Sequence, residues 1–250
     1  FSNHYFRLYT NTDVVGVENI ILSFQTAVRP QIIKQYAQGQ KEAVYTLILM
    51  SSKYGFYLTL LLVAPLLISI ESVLNLWLGE IPPYTVEMSV IFLCVELISP
   101  FRIPLLSAIH ATGNIRKFQI YEGIVLLMVV PVAYLLLKFA GISPSQVIGV
   151  YFLTEVIAQI VRLYIVTRSI GLSIRRYIRY QLPVVGVVLL SFAVSWSIQS
   201  YIQGNNLGAV ILRSTSSLLL ILIIIYTIGL ERNERAQIAT LIKGKLKIWK

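Results

Sequence analysis

Apolar runs long enough to cross a bilayer recur along this chain, and most of its charge falls between them. They cover residues 54–70, 84–110, 118–137, 146–166, 182–202 and 208–230, after a shorter, polar-faced run at 14–28. A hydrocarbon core of about 30 Å takes about 20 helical residues. The runs lack the period-two alternation of barrel strands, so in lipid their backbone groups must be satisfied within helices. The first run crosses only if it is extended or buried in protein. The expected fold is an all-α, polytopic membrane helical bundle of about seven transmembrane helices. Composition agrees: 13% of the 250 residues are charged, against roughly 25% in a soluble domain.

Charge between the runs sets an orientation. Arg29, Lys34 and Lys41 follow the first run, whereas Glu71 and Glu80 follow the second without a basic residue. Arg116 and Lys117 follow the third, and Lys138 alone the fourth. Arg168, Arg175, Arg176 and Arg179 follow the fifth, and Arg213 alone lies near the loop after the sixth. The tail, 231–250, carries Arg232, Arg235, Lys243, Lys245, Lys247 and Lys250. The positive-inside rule then puts the richer loops and the C-terminus in the cytoplasm, and Phe1 outside. An outer first residue other than Met is what part of a longer protein would show. The net charge of +10 is dispersed, which fits an anionic inner leaflet and excludes a nucleic-acid patch. Residues 172–180 and 236–250 mix Leu, Ile or Trp with basic residues, and are expected at headgroup level as topology anchors or headgroup readers.

The chain lacks a constellation for bond chemistry. Cys94 is alone, and His4 and His110 are far apart. No disulfide framework, metal cluster, cofactor loop or nucleophile–base pair can be drawn. A non-enzymatic protein without cofactor or metal is expected.

Polar residues inside the spans therefore carry the functional argument, since a charge at a helix centre costs about 2.5–3.5 kcal/mol on insertion scales. Glu18, Gln25 and Arg29 follow i, i+7 and i+11 in the first run, flanked by Asn19, Ser23 and Thr26. Such a face lines a wet cavity or bonds to neighbouring helices. Tyr151, Glu155, Gln159 and Arg162 share one face of the fifth run. Glu155 and Arg162 are about 10 Å apart in rise, too far to pair without Gln159 or water. This stripe either fixes helix packing or lines a polar path. In the third run Arg102 stands between Pro100 and Pro104, and the prolines kink or break that helix. Arg102 binds a substrate phosphate or pairs with a carboxylate from another helix.

Other features are weaker. Lys53 and Arg213 are close enough to run ends to snorkel. Pro65 and Pro131 kink their helices, Glu122 lies near a cytoplasmic end, and His110 is a hydrogen-bonding residue at a helix end. Ser214 to Ser217 are expected to bond their own helix's carbonyls.

Four segments resemble the C-terminal half of Wzx-type flippases, members of the multidrug/oligosaccharidyl-lipid/polysaccharide exporter superfamily. They are 24–37 with Gly39; Leu76-Trp77-Leu78-Gly79 with Pro83-Tyr84-Thr85; 111–120, reading ATGNIRKFQI; and Ile170-Gly171-Leu172-Ser173-Ile174. Their order and intervening helices match over nearly the whole chain, though no single motif is catalytic. Arg102 belongs to none of them. The resemblance implies that residues 1–250 form one lobe of a two-lobe transporter fold with a central cavity. It implies movement of undecaprenyl-pyrophosphate-linked oligosaccharide from the cytoplasmic to the outer leaflet of a bacterial inner membrane, for lipopolysaccharide, O-antigen or capsule. The lipid tail would lie against the sixth and seventh spans. Implied partners are the lipid-linked oligosaccharide, membrane lipids, the N-terminal lobe of the same protein, and polysaccharide polymerase or ligase proteins. Alternatives are a cation-coupled multidrug exporter using Glu18 or Glu155, and an oligosaccharide polymerase or glycosyltransferase. The short outer loops disfavour the enzyme.

Overall fold

The computed structural model describes residues 13–141, 143–199 and 207–236. Every regular element among them is helical: α1 (Asp13–Ala37), α2 (Lys41–Leu78), α3 (Thr85–Glu96), α4 (Ser99–Ala111), α5 (Arg116–Leu127), α6 (Val129–Leu135), α7 (Pro144–Ile170), α8 (Ile174–Gln199) and α9 (Leu207–Ile224). Single π-helical turns, Leu136–Ala140 and Ile225–Gly229, extend α6 and α9.

Among the described residues five helical stretches are long and apolar enough to cross a membrane: Lys41–Leu78, Arg116–Ala140, Gln146–Ile170, Ile174–Ser197 and Leu207–Gly229. The α3–α4 pair meets the same test as one crossing bent by 40°. The break falls at Leu97–Ile98, just before Pro100 in the first turn of α4, where a missing amide costs no helical bond. Pro104 lies inside α4, which continues past it. α1 is helical over 25 residues and runs through Pro30, but it lies outside the set of helices apolar enough to cross alone.

α2 is the axis of the bundle. Its 38 residues are about 57 Å long, nearly twice a hydrocarbon core. α1, α3, α4, α8 and α9 all pack on it. α4 lies between α2 and α7, while α5 and α6 pack on α7. One apolar core joins α1, α2, α4, α5, α7 and the start of α8 through Ile32, Ile48, Leu105, Phe118, Val166 and Tyr177. A second joins α2, α8 and α9 through Leu60, Ala64, Val184, Val188 and Ile221.

Side-chain bonds gather the basic turns at one end of the bundle. Arg29 of α1 reaches His110 of α4, Tyr45 of α2 donates to the Ile170 carbonyl at 2.8 Å, and Arg176 of α8 pairs with Glu42 of α2 at 2.8 Å. At the opposite end Arg213 of α9 donates to Ser72 Oγ of α2 at 2.9 Å. The alternation of charge along the sequence thus becomes an asymmetry between two ends.

Two expectations are corrected. Residues 172–180 are not a separate surface helix: Ile174 opens α8, which continues through Pro183, and Leu172 and Tyr177 are buried in the first core. The second span is not confined to 54–70, because α2 extends outward and packs its first turns against α1 and α7. The tail beyond Ala236, including its interfacial stretch, lies outside the described residues.

Candidate functional site

The polar stripe of α7 faces α5, and its centre is Arg162. Only 1% of Arg162 is exposed. Its Nε and Nη2 donate to Glu122 Oε1 of α5 at 2.8 and 2.5 Å, and Nη1 donates to Gln159 Oε1 at 2.7 Å. Glu155 Oε2, also buried, stands 3.8 Å from Nη2. Gln159 bonds to Arg162, but the separation expected between Glu155 and Arg162 is corrected: the long arginine side chain itself closes the gap to a loose direct ion pair. The unexpected member is Glu122. The sequence places it among weak features near a helix end, yet it is the main partner, because α5 packs directly on α7. Its signal was that of a lone carboxylate within an apolar run.

A separate contact lies towards the basic end. Arg29 Nη2 lies 2.9 Å from His110 Nδ1. A guanidinium can only donate, so this imidazole nitrogen accepts. Two arrangements thus lie in this part of the bundle: the exposed Arg29–His110 contact between α1 and α4, and the cluster of Glu122, Gln159, Glu155 and buried Arg162 between α5 and α7. Within the cluster one guanidinium stands between two carboxylates. Such pairing is what makes buried ions tolerable in an apolar medium.

Of the expected residues, Glu155, Gln159 and Arg162 are joined in the cluster, and Arg29 lies in the separate contact with His110. Arg102 is half-buried on α4, about 12 Å of helical rise from His110. Glu18 and Gln25 lie on α1, but their side chains fall outside the described residues. Among the described residues no group of three His, Cys, Asp or Glu can hold a metal ion. The cluster ties α5 to α7 through the Arg162–Glu122 ion pair.

A second ionic cluster was missed in the sequence. Lys53 does not snorkel. It is 4% exposed and donates to both carboxylate oxygens of Glu234, at 2.9 and 2.7 Å. Tyr54 Oη and the Glu231 backbone N–H also donate to Glu234, each at 2.7 Å. Burial pushes the Glu234 carboxyl up, but the bonds from Lys53, Tyr54 and the Glu231 N–H, with the Lys53 charge, outweigh it and hold it below the usual glutamate range. Arg213 is likewise half-buried and bonded to Ser72. Ser216 and Ser217 donate to the Arg213 carbonyl of their own helix, as expected.

The segments that carry the family resemblance lie at helix ends. Gly39, Gly79, Gly113 and Gly171 each have positive φ, the left-handed conformation that closes a helix without a Cβ clash. The shared physical role of these glycines is to reverse the chain, and the segment 24–37 also carries Arg29. No protein-family model, curated protein sequence or solved structure matches the chain.

Proposed function

We propose that this chain is a lobe of a transporter that moves an anionic, lipid-linked oligosaccharide across the inner membrane, with α1 as a seventh crossing covered by protein. The observation that carries the proposal is the buried Arg162 cluster, with Glu122, Gln159 and Glu155, beside the exposed Arg29–His110 contact. A phosphate arriving at Arg29 competes with His110, and α4, which carries His110, packs on α7, which carries Arg162. Supporting it are the four helix-end segments resembling Wzx-type flippases and the extensive apolar outer faces of α8 and α9, where an isoprenoid tail would lie. Substrate chemistry enters through the resemblance, with pyrophosphate matching the cationic mouth.

The test is the membrane face on which lipid-linked oligosaccharide accumulates in a strain lacking the complete gene. Cytoplasmic accumulation, reversed by the full-length gene and not by Arg29→Ala or Arg102→Ala, is expected. If the intermediate still reaches the outer face and only longer glycan is lost, the step is polymerisation or ligation and the proposal fails. A second reading, cation-coupled export of small molecules, is favoured by one feature: Glu155 is buried and only loosely paired. Drug efflux abolished by Glu155→Gln, with oligosaccharide export intact, would establish it.

A further inference from the structure

We infer that the basic end of the bundle holds a site for a phosphate group, presented by an anionic lipid headgroup and separate from the Arg162 cluster and the Arg29–His110 contact. A groove of about 520 Å³ opens there between the first turns of α2, the first turns of α8 and the segment after α9. Its walls include Leu49, Met50, Arg176, Arg179, Tyr180 and Asn233. That volume falls within the range of small-molecule sites, roughly 300–1,000 Å³. Its composition is amphipathic: two guanidiniums, a phenol and an amide stand over an apolar floor.

Charge and depth identify the ligand. Glu231 and Glu234 also border the groove, but Glu234 is neutralised from behind by buried Lys53 and accepts from Tyr54 and the Glu231 backbone N–H. Glu42, on the far side of Thr46, is taken up by Arg176. Arg179 is exposed and makes no ion pair among the described residues. Arg176 and Arg179 are also one turn apart at the start of α8, where the helix dipole favours an anion. Guanidinium forks match phosphate oxygens in geometry as well as charge.

All three walls lie at the end of the bundle where the basic turns gather: residues 176–180 precede the apolar run 182–202, residues 231–234 follow the run 208–230, and residues 46–50 belong to the outward extension of α2. That is headgroup depth, where basic residues meet anionic lipid. The site does not depend on the transport proposal.

The experiment uses the full chain in detergent and reads its thermal midpoint with phosphatidylglycerol, phosphatidylcholine or soluble glycerol phosphate. The midpoint should rise by several degrees with phosphatidylglycerol and not with phosphatidylcholine. The rise should vanish in R176Q/R179Q. It should also vanish in T46E, which keeps both arginines and adds a carboxylate to the wall. R168Q, whose guanidinium rests over the Tyr164 ring outside the groove, should retain it. A rise confined to phosphatidylglycerol assigns the phosphate to lipid; an equal rise with glycerol phosphate assigns it to a soluble compound. No rise with either, an unchanged rise in T46E, or the same loss in R168Q overturns the site.

Discussion

α2 and the α5–α6 span are almost equally apolar, yet the structure uses them in opposite ways. Their most hydrophobic windows have mean hydropathies of 2.1 and 2.3, but 50% of the first is buried inside the bundle and 6% of the second. α2 is surrounded by five helices, whereas α5 and α6 lean on α7, with Leu127, Val130 and Phe139 among the most exposed residues of the chain. In water such a difference would be impossible at equal hydropathy. In a bilayer, lipid tails are as apolar as leucine, so hydropathy drives insertion and leaves packing to be chosen by shape and polar contacts. The α5–α6 span is positioned by one polar contact above all, Glu122 on Arg162.

That contrast can be broken at its polar joint first. Arg162→Ala leaves buried Glu155 and half-buried Glu122 without their cation, and is expected to destabilise by about 3–5 kcal/mol. A thermal melt in detergent checks this, and R162Q combined with E122Q and E155Q should recover much of the loss. Next, Leu60→Ala opens a cavity within the α2 axis, where Leu60 is 1% exposed; about 2–5 kcal/mol is expected. Denaturant titration giving less than half of that range would show that α2 is not the packed centre.

Glu234→Gln should cost about 3 kcal/mol at neutral pH, because buried Lys53 loses its counter-ion. The wild-type carboxyl is held below the usual glutamate range, so its stabilisation is complete above that range and declines as pH falls through the folded value. The wild-type melt should therefore be flat from neutral pH to about 5 with respect to this group, and fall only in stronger acid. A loss centred above the usual glutamate range would contradict the assignment.

Gly229→Ala tests the same junction more gently. An added Cβ would lie 2.8 Å from Tyr57 Oη, and the buried Tyr57 ring has little room to retreat; about 1–3 kcal/mol is expected. The smallest effect belongs to the other region: Val130→Ala, on the exposed face of α6, should change stability by less than about 0.5 kcal/mol. A large loss there would mean that another surface covers α5–α6.

Much of this architecture was legible from residue order. The apolar runs located the crossings to within a few residues at most ends, and Pro100 with Pro104 marked the broken third span. The Tyr151, Glu155, Gln159, Arg162 stripe was readable because i, i+4, i+8 and i+11 share a helix face whatever surrounds it. Glu122 and Glu234 were not readable as partners. Their ion pairs, to Arg162 and Lys53, join residues separated by 40 and 181 positions, and no local period encodes which helix will lie alongside. Lys53 was misread for the same reason: a lysine near an apolar run snorkels unless a carboxylate from elsewhere meets it.

The sequence by itself therefore determined an all-helical chain, the spacing of its apolar runs and the placement of charge between them, because hydropathy and helical period act locally along the backbone. Only the tertiary structure decided that α2 is the axis and α5–α6 the rim, that Arg29 meets His110, and that Glu122 meets Arg162. Nearly equal hydropathies cannot rank helices for burial. Buried charges select their neighbours through contacts that exist only once the helices have packed.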